Sequence, residues 1–239
     1  MVSKPKSAEM HVGPGFRWRA KVERVPPEIV RQFSAFETPD VSDLMNRLYT
    51  MSSEIRPMTG PDLKILGPAC TVKVFPGDNL MVHKSLDLAA PGDVVVVDAG
   101  SSAMNGVLGD LISTKARHRG IAGFVVDGLV RDLPAIRALG DFPVFARGAT
   151  PIGPLHRGPG EVNYPVSVGG IVVQPGDLVM GDLNGVVIVP RPAAAELLGR
   201  LKEHVARETP YVESVARGEF SNEWVDATLN DAGVFADDG

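Results

Sequence analysis

Residues 91–130 read PGDVVVVDAGSSAMNGVLGDLISTKARHRGIAGFVVDGLV, and this stretch decides the fold. Val94 to Val97 follow the turn Pro91-Gly92-Asp93, and an unbroken apolar run of this kind reads as a strand covered on both faces. Leu108, Leu111, Ile112 and Ala116 then recur at helical spacing across residues 106–118. IAGFVVDG at 121–128 is a second buried strand. Strand, helix, strand in that order is a βαβ unit, with parallel strands joined by a right-handed crossover.

The same order extends outward in both directions. Downstream, VRDLPAIRALG (130–140) is a short helical turn and FPVFARG (142–148) a third strand. Upstream, ACTVKVF (69–75) is a strand that ends at Pro76-Gly77-Asp78, before a helix from Asn79 to Ala89. Pro26-Pro27 before EIVRQFSAF and Thr38-Pro39-Asp40 before VSDLMNRL place proline in the first turn of two further helices. Residues 164–190 change character: short apolar runs broken by Gly-Gly, Pro-Gly-Asp and Asn-Gly read as antiparallel hairpins in a second, smaller sheet. A long helix from about residue 193 to 208 is expected to stop near Pro210. The expected organisation is an N-terminal arm (1–25), one α/β domain (26–217) and a C-terminal tail (218–239).

Bulk properties narrow the function. The chain of 239 residues carries a net charge of -5, the opposite of the basic balance of a nucleic-acid binder. Its one cysteine, Cys70, excludes an intrachain disulfide and a cysteine-cluster metal site, and within Ala-Cys-Thr-Val it reads as a buried structural thiol. No apolar run reaches the roughly 20 residues a bilayer demands. The N-terminus has positive charges but no apolar core of a secretory signal, so a cytoplasmic location is expected.

Ligands of open parallel sheets bind at the carboxyl ends of the strands, where the following helices present free N–H groups. Two such ends would lie side by side here: the turn leading to Gly109-Asp110-Leu111-Ile112, and Val130-Arg131-Asp132 after the second strand. Asp132 can hold Mg²⁺ or Mn²⁺, since Mg²⁺ takes only one or two protein carboxylates. Arg131 offers a planar, permanently charged fork for an oxo-acid carbonyl or enolate oxygen. Asp110 can orient Arg131 or hold a metal-bound water, and the N–H groups near Leu111 and Ile112 can receive a carboxylate. The same residues fit a plainer account: an acid in a first helical turn favours the dipole, and an Arg-Asp pair is often a surface ion pair.

Asp110, twenty intervening residues, then Arg131-Asp132 resembles the signature of the RraA-like family. This family includes the class II 4-hydroxy-4-methyl-2-oxoglutarate / 4-carboxy-4-hydroxy-2-oxoadipate aldolases. Val41-Ser42-Asp43, Pro76-Gly77-Asp78-Asn79, residues 91–98 and Arg119-Gly120 are similar to it too, so the resemblance covers roughly residues 25–210. It implies a three-layer swivelling β/β/α domain, assembled as homotrimers or hexamers with sites at subunit interfaces. It further implies that Gly109, Asp110, Leu111, Ile112 and Arg131 bind the oxo-acid, that Arg131 stabilises a pyruvate enolate, and that Asp132 binds the metal. Aldolase members add an acid from a neighbouring subunit's C-terminal helix. Glu208 is the candidate here, on the face of Leu197, Leu201 and Val205, with Glu219 behind it; the C-terminal segment departs from the aldolase pattern.

The sequence lacks H-E-x-x-H, a P-loop and a G-x-G-x-x-G after a strand, so no organic cofactor is expected. His11, His83, His118, His156 and His204 lie far apart and read as structural or solvated groups. Lys73 is the candidate for a Schiff-base lysine, although a strand lysine facing solvent is the simpler account. The expected activity is metal-dependent retro-aldol cleavage of a 4-hydroxy-2-oxo-dicarboxylic acid to pyruvate and a second oxo-acid, with oxaloacetate decarboxylation beside it. The alternative is a protein regulator that binds a ribonuclease.

Overall fold

The computed structural model describes residues 9–235. The chain divides into two compact units, Met1–Leu198 and Gly199–Gly239. From the N-terminus, β1 (Phe16–Trp18), α1 (Pro27–Phe33), α2 (Thr38–Leu44) and β2 (Arg56–Pro57) come first. The central run follows: β3 (Ile65–Val74), α3 (Leu80–Leu88), β4 (Val94–Gly106), α4 (Asp110–His118), β5 (Gly123–Val130), α5 (Leu133–Arg137) and β6 (Val144–Ala149). Then come β7 (Gly160–Val162), β8 (Val166–Val168), β9 (Ile171–Val173), β10 (Leu178–Asp182), β11 (Gly185–Val189), a single 3-10 turn, α6 (Ala194–Ala216) and α7 (Glu223–Asp231).

β3, β4, β5 and β6 are parallel neighbours, joined through α3, α4 and α5 as the βαβ reading requires. Alternation along the strands explains the layers. Val95 and Val97 pack with Phe124 and Val126 against Met81 and Val82 of α3, Ile112 and Ala116 of α4, and Ile136 of α5. Val94 and Val96 point the other way with Val125 and Phe145, against Val166, Val168, Val173, Val179 and Ile188 of the hairpin layer. All four valines of the run are fully buried, each contributing about 1.5–3 kcal/mol. β3 serves both layers: residues 65–68 pair antiparallel with β10, and residues 69–73 pair parallel with β4. β8 and β9 form a separate two-stranded antiparallel sheet. Helices, parallel sheet and antiparallel hairpins therefore make the mixed α/β architecture that the sequence leads one to expect.

Five local expectations change. Part of the expected N-terminal arm is a strand: β1 pairs in parallel with β7, and Arg24 forms a 2.7 Å ion pair with buried Asp93. β4 does not end at Gly100 but continues to Gly106, with register shifts at Ser102 and Gly106 that bulge the extra residues outward. The following helix consequently starts at Asp110, not near 106. Pro210 does not interrupt α6, which runs through it to Ala216, and α7 lies where a tail is expected.

The hairpin face of the sheet carries a row of charges at the strand ends. Lys73 Nζ lies 3.0 Å from Asp98 Oδ2, Asp98 sits beside Asp127 in register, and Arg147 Nε lies 2.5 Å from Asp127 Oδ1. Ser101, in left-handed backbone, donates its hydroxyl to Asp127 at 2.9 Å, and the Gly169 N–H donates at 2.6 Å. Glu54 pairs with the far side of Arg147. Burial pushes the Asp127 carboxyl up. Arg147, Gly169 and Ser101 outweigh it and hold the group below the usual carboxylate range. Lys73 thus belongs to an ion-paired row and not to the cleft described next. Among the described residues no helix is long and apolar enough to cross a membrane.

Candidate active site

β5 ends at Val130, and the next two residues turn the chain into α5. Asp132 is the N-cap of that helix and adopts left-handed backbone (φ 56°, ψ 34°), which Asp tolerates better than most residues. The turn is braced from the β4 side: Arg131 N donates to Leu108 O at 3.0 Å, and Val107 N to Leu129 O at 2.9 Å. These bonds set the N-terminus of α4, with Asp110 at its first position, beside Arg131 and Asp132.

Close approach makes the arrangement specific. Arg131 Nε donates to Asp132 Oδ2 at 2.8 Å. A methyl group at Gly109 would lie 2.3 Å from that same Oδ2 and 3.0 Å from Arg131 Cγ. A methyl at Gly153 would lie 2.6 Å from Arg131 Nη1. The Arg131 side chain therefore runs between two backbone segments kept open by glycine, its Cγ against Gly109 and its Nη1 against Gly153. Asn105 Nδ2 fastens Gly153 O at 2.7 Å, and Gly106 N donates to Ile152 O at 2.9 Å. The loop between β6 and β7 is thereby tied to the end of β4.

The result is a cleft of about 340 Å³ lined by Asn79, His83, residues 108–112, Arg131, Asp132, Pro154 and His156. All five residues placed here by sequence as oxo-acid contacts line it, and Asp132 lines it with them. Asp110 Oδ1 accepts from Leu111 N at 2.8 Å, and no Asp110–Arg131 hydrogen bond forms. The first of its two expected jobs, orienting Arg131, falls in this chain to Asp132 instead.

His83 and His156, set aside by sequence, are the residues that reading missed. Their ring centroids are 5.7 Å apart, edge to face, and His156 Nδ1 lies 2.6 Å from Asn79 Oδ1. Burial first, then His156 and Lys115, push the His83 imidazole below its ordinary range. The pairing joins positions 77 residues apart through a loop, and no periodic signal marks it. Pro76-Gly77-Asp78-Asn79 is the one sequence pattern that touches it.

The donor set limits what metal could bind. Among the described residues no three His, Cys, Asp or Glu side chains cluster as ligands. A zinc-type centre does not fit. A Mg²⁺ ion that keeps most of its waters needs one or two carboxylates, and Asp132, a third exposed at the cleft, fits that demand. Glu208, in the second unit, pairs with His204 across one turn of α6 at 3.2 Å, and Glu219 pairs with Arg217 at 2.9 Å.

The geometry has relatives. The RraA-like family model, described as Aldolase/RraA, matches residues 38–188. The chain belongs to this family. A protein of Halalkalibacterium halodurans, provisionally named a 4-hydroxy-4-methyl-2-oxoglutarate aldolase, is 40% identical over 179 residues, 75% of this chain and 84% of that one. Among solved structures, Streptomyces coelicolor RraAS2, described as an unusual member of the RNase ES inhibitor RraA family, is 34% identical with a TM-score of 0.70. It covers 79% of this chain and 98% of its own. The RNA-processing inhibitor RraA of Thermus thermophilis is 33% identical with a TM-score of 0.59, covering 65% and 93%. The names of the aldolase relatives support a lyase, and they span most of their own lengths in the match.

Proposed function

We propose that this chain cleaves a 4-hydroxy-2-oxo-dicarboxylic acid to pyruvate and a second oxo-acid, with oxaloacetate decarboxylation as a related activity. The observation that carries the reading is the Arg131 side chain beside the N-terminus of α4, bonded to Asp132 and packed between the backbones of Gly109 and Gly153. A retro-aldol step needs somewhere to put negative charge as the C3–C4 bond breaks. Arg131 holds its donors there in advance, at no reorganisation cost during the step. The free N–H groups of the first α4 turn, near Leu111 and Ile112, receive the C1 carboxylate. Asp132 would hold Mg²⁺ or Mn²⁺, which when bound supplies Lewis-acid polarisation of the 2-oxo group. Asp110 stands at the mouth of the cleft, free to hold a water near the reacting carbons.

The reading includes a cytoplasmic homotrimer or hexamer with sites at subunit interfaces, no organic cofactor, and Glu208 of a neighbouring copy as a further acid. A coupled pyruvate-release assay over a panel of 4-hydroxy-2-oxo acids and oxaloacetate, with and without Mg²⁺, tests it. Turnover should vanish in excess chelator and in Arg131→Ala and Asp132→Ala. Wild-type rates in both variants, or a borohydride-trapped lysine adduct, would reject the metal-dependent mechanism. The Streptomyces and Thermus neighbours favour a second reading, a regulator that binds a ribonuclease. Capture of a ribonuclease by a chain inactive on every oxo-acid would support that instead.

A further inference from the structure

The cleft contains two imidazoles to which the proposed reaction gives no task. His83 comes from α3 and His156 from the β6–β7 loop, and both line the cleft that holds Arg131 and Asp132. Asn79 Oδ1 faces His156 Nδ1 at 2.6 Å. An amide oxygen only accepts, so Nδ1 is the donor, and in the neutral ring Nε2 is then the nitrogen with the lone pair. Asn79 is 2% exposed and immobilised as the N-cap of α3, with its N–H bonded to Leu155 O at 3.0 Å.

The loop does not depend on the imidazole as a fastener. Leu155 N donates to Gly77 O at 2.8 Å, and Arg157 N donates to Asp78 Oδ2 at 2.5 Å. What the Asn79–His156 bond adds is orientation: one ring nitrogen is held as a donor and the other is left basic. His156 itself lies exposed at the rim, so its proton exchanges with solvent. A base held by a third group, within the cleft that stabilises the developing charge, is the arrangement that activates a hydroxyl.

We propose that His156 is the base that removes the C4 hydroxyl proton of a 4-hydroxy-2-oxo acid bound in this cleft, with Asn79 as its positioning residue. The proposal rests on the lyase reading above. In the step, Nε2 takes the hydroxyl proton and the O–H electron pair becomes the new C4 carbonyl bond. The C3–C4 bond breaks, its electrons form the C2–C3 double bond, and the C2 carbonyl π pair moves onto oxygen to give the enolate. The imidazolium gives its proton to water, and the enolate takes one from water at C3. Neighbouring groups suit the task. His83 lines the cleft on the α3 side, and burial and the nearness of His156 and Lys115 disfavour its charged form. The other charged cleft residues are Asp110 of α4 and the Arg131-Asp132 pair.

Decarboxylation of oxaloacetate has no hydroxyl proton to remove, and this separates the role of His156 from that of Arg131. In full-length His156→Ala, kcat for cleavage of a 4-hydroxy-2-oxo acid should fall about 100-fold or more, the usual worth of a general base, with KM nearly unchanged. Free imidazole should restore part of the loss, and oxaloacetate decarboxylation should stay close to wild type. Asn79→Asp should move the ascending limb of the kcat–pH profile to higher pH, because a carboxylate beside Nδ1 makes the imidazole more basic, a shift that a merely structural role would not produce. Cleavage within a few-fold of wild type in His156→Ala, or equal loss of both reactions without imidazole rescue, overturns the proposal. A wild-type protein inactive on every substrate is a different result: it sinks the lyase reading, and this inference with it.

Discussion

Replacing Gly109 with alanine adds one methyl group and tests the whole geometry of the cleft. Gly109 has φ -144° and ψ -156°, extended backbone that alanine adopts without strain. The effect must therefore come from contact alone. The new carbon would stand 2.3 Å from Asp132 Oδ2, so that oxygen must retreat by about 0.7 Å to reach even 3.0 Å. The retreat pulls against the 2.8 Å bond to Arg131 Nε. Arg131 cannot simply follow, because its Cγ would also be only 3.0 Å from the methyl group.

The Asp132 side chain is 33% exposed and can swing toward solvent, so the cost in stability should stay below the ~1–3 kcal/mol of overpacking a closed core. Activity should suffer more, because a displacement of ~1 Å in a catalytic group costs about 100-fold. Pyruvate-release kinetics, Mn²⁺ titration and a thermal melt measure the three quantities. The expected set is kcat/KM down about 100-fold, weaker Mn²⁺ binding and a nearly unchanged Tm. Wild-type turnover with unchanged Mn²⁺ affinity would refute the role given to the Arg131–Asp132 pair. A collapsed Tm would show that Gly109 serves folding instead.

Other perturbations separate the remaining parts. Arg131→Lys should recover little of the activity lost in Arg131→Ala, because an ammonium cannot reproduce the planar fork, and kcat measured on both variants decides this. Asp127→Asn removes one of the two carboxylates on Arg147, leaving Glu54, and should cost about 2 kcal/mol in urea unfolding, the scale of a hydrogen bond to a charged group. Because the folded-state pKa of Asp127 is depressed, its contribution is complete above the unfolded pKa of about 3.9 and is lost as pH falls through the lower folded value. The stability difference between wild type and Asp127→Asn should therefore be flat from neutral pH down to about 4 and shrink below it. If Glu208 serves a neighbouring copy's cleft, Glu208→Gln and Arg131→Ala should each be impaired alone and regain activity when co-assembled. No recovery in mixed oligomers would place the whole site within one chain.

The parallel sheet was legible because burial on both faces leaves an unmistakable mark, four valines in succession, and because helical spacing between two such runs permits one topology. The Arg131-Asp132 turn was legible for the same reason, since it lies at a strand end. The extension of β4 was not. Bulges at Ser102 and Gly106 displace residues out of register, and a bulged strand has no period to detect. β1 escaped notice because a three-residue strand set among charged residues resembles an arm until β7 pairs with it. The two cleft imidazoles were invisible for a different reason: α3 and the β6–β7 loop bring them together across the sheet, through backbone bonds that side-chain pattern does not encode. Pro210 misled because a proline weighs against a helix interior, yet α6 tolerates it.

The charge row on the hairpin face also acts as a ratchet on the strands. Sliding β4 by one residue against its neighbours would turn Asp98 into the layer where Val95 and Val97 pack on helices, and would bring Val97 or Ala99 to Lys73 and Asp127. Each such slip strands a buried charge in hydrocarbon while it also exposes apolar surface. Only one alignment satisfies both faces at once. That alignment fixes how far each strand projects, and so where Gly109 ends up relative to Asp132. The tolerances of the cleft are therefore set from the opposite side of the sheet, by residues that no substrate in the cleft would touch.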